Sequence, residues 1–200
     1  MAINLQQGQR IVLEQAAPNL QHLLLGLGWD IAQRPGGIRS IFVEQHDLDL
    51  DATVICLDQQ QRLCQDQDVI YFGNLQHESG AMTHLGDHLT GGGQGDNEQI
   101  VVDLAQMPDR IHTLILLVNI YRCQERHQDF GDISNAFVRL VNHTTQQEVA
   151  RYNLLGQQYK SMTALKMVAL QRLGQSWEVL ALGEGLAVPG LKEIIDLYRG

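Results

Sequence analysis

"TALKMVALQRLGQSWEVLALG", residues 163–183, decides what kind of chain this is. Apolar and polar residues alternate on both sides of Gly174 and Gln175, and a two-residue turn between alternating runs is the signature of a β-hairpin. The same texture recurs toward both ends. "RIVLEQ", "HLLLGLGW", "DATVICL", "DVIYFG", "QIVVDL", "HTLILLVNIY", "NAFVRLVN" and "EVARYNL" are rich in β-branched or long apolar residues, with short stretches of Gly, Asp, Asn and Gln between them. Many short strands spaced by turn signals predict an all-β chain, a β-sandwich of two mostly antiparallel sheets. Only "VPGLKEIIDLYRG" reads as a helix, short and C-terminal, with Pro189 near its start and Leu191, Ile194, Ile195 and Tyr198 at helical spacing. No linker divides the chain, so one domain over residues 1–200 is expected.

Composition excludes several classes. Hydrophobic residues are 44% and charged residues 18%, which is ordinary globular usage and rules against disorder or a fibre. No apolar run approaches the roughly 18 to 20 residues that span a bilayer, and "MAINLQQGQR" has no secretory pattern, so an unexported cytoplasmic protein without membrane insertion is expected. Cys56, Cys64 and Cys123 form no C-x-x-C pair, which argues against a disulfide framework or a cysteine-rich zinc site. The expectation for each thiol is a small apolar residue in or near a strand.

The formal charge of −9 is concentrated in one place. Residues 40–109 hold thirteen acidic side chains against the single Arg62, while the flanks are slightly basic. These acids lie between strand-like runs, not in a low-complexity tail. Two carboxylates about 4 Å apart repel by about 4 kcal/mol at an effective dielectric of about 20, so a cluster without local lysine or arginine calls for another positive charge. A bound metal ion is one source. Nucleic acid is disfavoured as a partner, because phosphates need a basic surface.

Two segments carry the metal reading. In "DLDLDATVICLD" the residues Asp47, Asp49, Asp51 and Asp58 fall at EF-hand spacing, but Ala52 stands where the loop needs glycine and Ile55 where it needs a ligand. Read as a strand, Asp47, Asp49 and Asp51 share one face and Leu48, Leu50, Ala52, Val54 and Cys56 the other; a solvated loop leading into that strand is the plain alternative. "GDHLTGGGQGDNE", residues 86–98, places Asp87, Asp96 and Glu98 among five glycines, with Thr90 and Asn97 as neutral oxygen donors. Such mixed oxygen sets suit Ca2+. A phosphate loop is disfavoured, since there is no G-K-[ST] and no lysine or arginine between Arg62 and Arg110. His84 and His88 lie four apart, but among turn residues that spacing does not define a zinc site. No G-x-S-x-G or local Cys/His pairing marks a catalytic site, and no enzymatic activity is expected.

"GLGWD" (26–30), "DLDAT" (49–53), "GDHLTGGGQGDNEQIVVDL" (86–104), "FGDISNAFVRLVN" (130–142) and "EVARYNL" (148–154) together resemble the motifs of the TerD family of tellurite-resistance and stress-response proteins, in order and over nearly the whole chain. The resemblance implies a single TerD-like β-sandwich that binds calcium, typically two ions, and joins other proteins, membrane-associated ones included, in a stress or resistance complex. Carried over by position, it implies Asp87, Asp96 and Glu98 in the loop, Asp49 and Asp51 in the "DLDA" segment, Asp30 after the tryptophan, and Asn74 in "YFGNL" as an amide position. The loop departs from the family pattern at His88, Gly92, Gln94 and Asn97, and three of these replace carboxylates. Fewer charges weaken calcium binding, and a metal-independent interaction scaffold with a degenerate calcium site is the alternative.

Overall fold

The structure, a computed structural model, describes residues 2–31, 48–87 and 95–200. Among them twelve strands form two sheets of six. The first runs β1 (Ile3–Leu5), β10 (Gln147–Leu154), β9 (Ile133–Asn142), β3 (His22–Ile31), β7 (Glu98–Asp103) and β6 (Met82–Asp87). The second runs β2 (Arg10–Val12), β12 (Ser176–Leu186), β11 (Ala164–Leu173), β8 (Thr113–Ile120), β4 (Leu50–Leu57) and β5 (Val69–Ile70). Only β1 with β10 pairs in parallel; the rest are antiparallel. The expected sandwich is the observed fold.

Period-two patterning sorts each strand between two environments. Leu25, Leu27, Ile100, Val138 and Leu140 of the first sheet meet Ala52, Val54, Leu116, Val168 and Val179 of the second in one core. β4 and β8 are buried at every position, because their outer face is covered too. There Ile55, Leu57, Ile115 and Leu117 pack under helix α3 (Leu191–Asp196), whose Ile194 is fully buried. The amphipathic reading of that segment therefore names the face that docks.

The hairpin of β11 and β12 closes at Leu173 and Ser176, with Gly174 at φ +60° as the tight turn requires. Elsewhere the elements differ from the expected ones. "RIVLEQ" gives only three strand residues before the chain turns into the short helix α1 (Leu13–Ala16), which drops Leu13 into the core. β5 keeps two residues of the expected "DVIYFG", and β6, "MTHLGD", has too many polar residues for its alternation to stand out. The described thiols are free. Cys56 lies in β4 and Cys123 opens helix α2 (Cys123–Arg126), both buried, whereas Cys64 is exposed and far from the expected apolar setting.

Candidate functional site

Four strands meet at one rim. There β4 starts at Leu50 and β7 at Glu98, and β3 and β6 are described as far as Ile31 and Asp87. Register ties these strands to Glu98, which pairs with Leu27 of β3 and Asp87 of β6. Glu98 shares the inward face of β7 with Ile100 and Val102 and is 2% exposed. Its Oε2 accepts the backbone N–H of Ala52 in the opposite sheet. The reason lies in β5: Asp49 and Leu57 turn their carbonyls to the β8 side, so the alternate residue Ala52 points its N–H toward β5, which reaches only Val54 and Ile55. A buried N–H beyond the end of β5 needs an acceptor, and Glu98 supplies it across the sandwich. His84, also buried, accepts from the Gly86 N–H at 3.0 Å and places Nε2 3.9 Å from the same carboxylate.

Asp96 does something else. Its side chain is fully buried on the outer face of the first sheet, where Arg139 of β9 donates to both oxygens at 2.6 and 2.8 Å and Gln99 donates a third bond at 2.9 Å. Cross-strand register explains the arrangement, because Gly26 pairs with Gln99 on one side and with Arg139 on the other. A Cβ on Gly26 would lie 2.2 Å from the Asp96 carboxylate, so the missing side chain is the space the acid occupies. The hydrogen bonds it donates to Asp96 push the pKa of the Arg139 guanidinium above its ordinary value. The inference that the acidic segment lacks basic counterparts is thus corrected: one comes from a strand forty-three residues downstream. Asn97 is also committed, its Oδ1 accepting the Trp29 N–H at 3.0 Å while its own N–H extends the ladder to Leu27.

The remaining candidates spread over the rim and the second sheet. Asp30 is exposed at the end of β3, 3.5 Å from the Asn135 amide. Asp49 is exposed just before β4. Asp51 is buried, one step out of phase with the inward Leu50 and Ala52, so it faces outward beside its cross-strand partner Asn119. Asn74 donates to the Val69 and Gln67 carbonyls and clips the turn after β5. Asp87 ends β6 opposite Glu98, and Thr90 lies outside the described residues, as does His88. The structure therefore brings Asp30, Asp49, Asp87 and Glu98 to one rim, sends Asp96 to the outer face of the first sheet, and sends Asp51 to the outer face of the second.

A second buried cluster escaped sequence reading. Asp68 is fully buried and accepts two hydrogen bonds from Arg110, at 2.7 and 2.9 Å, and one from His77 Nε2 at 3.1 Å. Burial pushes the Asp68 carboxyl up, but the bonds from His77 and Arg110 and the guanidinium charge outweigh it and hold the group below its ordinary value. His77 Nδ1 meets Ser79 Oγ at 2.8 Å, which sets Asp, His and Ser in a row. The row is scaffolding: Nδ1 also accepts the Ser79 N–H, Ser79 Oγ accepts the Ala81 N–H, and Asp68 has spent its charge on Arg110. The cluster staples the turn before β6 to the start of β5.

Among the described residues no three His, Cys, Asp or Glu side chains form a metal shell. The donor chemistry of the rim, carboxylate oxygens at Asp30 and Asp49 with the acidic and glycine-rich segment adjoining, fits a hard cation, whereas the oxygens of Asp96 and Asn97 are already engaged.

Comparison with known proteins agrees with the fold and motifs. The TerD domain model matches residues 1–198. Stress response protein SCP2 of Bacillus subtilis (strain 168) is 41% identical over 200 residues, covering 99% of this chain and all of that one. Tellurium resistance protein TerD of Serratia marcescens is 37% identical over 198 residues, covering 99% of this chain and 97% of the relative. Among solved structures, a homologue of telluride resistance protein (TerD) from Streptomyces coelicolor A3(2) superposes with a TM-score of 0.67 at 18% identity, covering 91% of this chain and 99% of that one, which speaks to fold alone.

Proposed function

This chain belongs to the TerD family, and from that premise we propose that it is a non-enzymatic calcium-binding protein of a tellurite-resistance or stress-response system. The observation that supports calcium is the meeting of four strands, with the carboxylate-bearing residues Asp30, Asp49 and Asp87, around the inter-sheet bond of Glu98. A bound Ca2+ would offset the repulsion among these acids and tie the strands together. Thr90, outside the described residues, is kept in the set on sequence grounds as a neutral oxygen donor. Asp96 and Asn97 are left out of it, because their oxygens serve Arg139 and Trp29. The free thiols suit a reducing cytoplasm, and no described helix is long and apolar enough to cross a membrane. Its partners in this reading are proteins of the same complex, membrane-associated ones included.

Melting curves test it. Saturation to one hundred times the dissociation constant adds about 2.7 kcal/mol, which for a chain of this size raises the melting temperature by about 5–10 °C. The rise should vanish with chelator and with Asp49→Ala. A melting temperature that stays flat from chelator to millimolar calcium overturns the reading. One observation favours a second: the ion pair of Asp96 with Arg139 locks the loop's last residues without a metal, as an interaction scaffold requires. Partner capture from cell extract that ignores both chelator and Asp49→Ala selects the scaffold.

A further inference from the structure

On the outer face of the second sheet a cavity of about 460 Å³ opens between β4, β8, the turn after β5 and helix α3. Its floor is the cross-strand pair of Asp51 and Asn119. Asn119 is 4% exposed, and its Oδ1 has no hydrogen-bond partner among the described residues. A buried acceptor left unmade is costly, so this oxygen is aimed at something the described residues do not provide. We propose that the cavity is a mononucleotide site that prefers guanine.

The walls and mouth specify that chemistry. A floor of one carboxylate and one amide oxygen presents acceptors, so the end of the ligand that reaches it must bring donors. Guanine has two adjacent ones on one edge, its ring N–H and its amino group, and cross-strand neighbours stand about 5 Å apart, close enough to receive both. Tyr71, Phe72 and Tyr121 line one side in an edge-to-face chain, with ring centres 5.2 and 6.2 Å apart, which suits a planar base. Phe72 is 52% exposed although it is large and apolar. Leu191 and Ile195 of α3 close the other side. At the mouth Arg122, Lys192 and Arg199 are exposed, and their ion-pair partners among the described residues are the surface acids Glu125, Asp196 and Asp66. Such pairs are weak and exchange partners readily, so a phosphate can recruit the cations. A single nucleotide fits within the volume, whereas the acidic chain offers no basic track for a polymer.

The proposal is independent of calcium, and all titrations are done in chelator so that the two readings fail separately. Calorimetry of the full chain with GMP, AMP, CMP, guanosine and ribose 5-phosphate should give saturable binding strongest for GMP. Arg122→Ala should weaken GMP about tenfold and leave guanosine unchanged. Asp51→Asn should lose GMP and gain xanthosine monophosphate, since xanthine replaces the amino donor with a carbonyl that the new amide can bond; a merely structural role for Asp51 predicts no such exchange. Should Asp51→Asn not fold, the exposed variants Phe72→Ala and Arg122→Ala decide. The proposal is overturned by absence of saturable GMP binding at millimolar concentration, or by GMP affinity that neither of these exposed variants changes.

Discussion

Arg110→Ala lowers the melting temperature by about 6–20 °C, the shift that corresponds to about 3–5 kcal/mol in a chain of this length. The cause is what the substitution leaves behind. Asp68 is fully buried, and Arg110 supplies two of its hydrogen bonds and its compensating charge. Without the guanidinium a buried carboxylate keeps, among the described residues, the His77 bond alone, and that uncompensated charge is the costly state. The pH dependence separates this from a general loosening. In the wild type the Asp68 carboxyl is depressed, so its contribution is present above the unfolded carboxylate value and is lost as pH falls through the lower folded one. In the variant, burial is no longer outweighed and the carboxyl shifts the other way, so acid neutralises it and relieves the penalty. The gap between the two melting temperatures should therefore narrow steadily from neutral pH into the acid range. A gap of constant width from neutral pH to pH about 4 would mean that Arg110 contributes packing, not charge. Asp68→Asn in the Arg110→Ala background should recover part of the loss.

The reach of sequence reading follows from how local each signal is. The hairpin of β11 and β12 was legible because alternation and Gly174 are neighbours, and α3 because its apolar residues fall on one stripe within two turns. The inward and outward faces of β4 were legible too, since period two needs no partner strand. Pairings between distant residues were not. Arg139 and Arg110 each lie more than forty residues from the buried acids Asp96 and Asp68 that they neutralise, so a charge count by segment leaves both acids without the partner that the fold gives them. Gly26 and Gly28 look like weak points in an apolar strand; in the sheet they are the floor under Asp96 and under the Phe137 ring. The family motif joined Asp51 to the loop acids by order in the chain, whereas the strand turns it to the opposite face of β4 from the bond that ties Ala52 to Glu98. The row of Ser79, His77 and Asp68 carried one local hint, the i,i+2 spacing of His and Ser, and nothing in the sequence marked Asp68 as its third member.

Asp96 is where the fold and the calcium reading can be told apart, and the expected result is an asymmetry between two alanines. Arg139→Ala leaves a fully buried carboxylate with Gln99 as its only donor among the described residues, and should cost about 3–5 kcal/mol, again about 6–20 °C. Asp96→Ala should cost less, about 1–3 kcal/mol, because Arg139 is 30% exposed and has Glu148 within 3.8 Å to turn toward. The double variant should then be more stable than Arg139→Ala alone, since removing the acid removes the stranded charge, and the coupling between the two should be about 2–3 kcal/mol. Gly26→Ala probes the same contact from below, since its new methyl would displace the carboxylate from the sheet surface. Calcium enters as the control. An acid that serves as a metal ligand takes the calcium-induced rise in melting temperature with it when it is replaced; an acid that serves a guanidinium lowers both curves and leaves the rise intact. The structure predicts the second outcome for Asp96 and, under the proposed function, the first for Asp49. If Asp96→Ala abolishes the rise while Arg139→Ala is harmless, the ion pair is not what holds this acid in place.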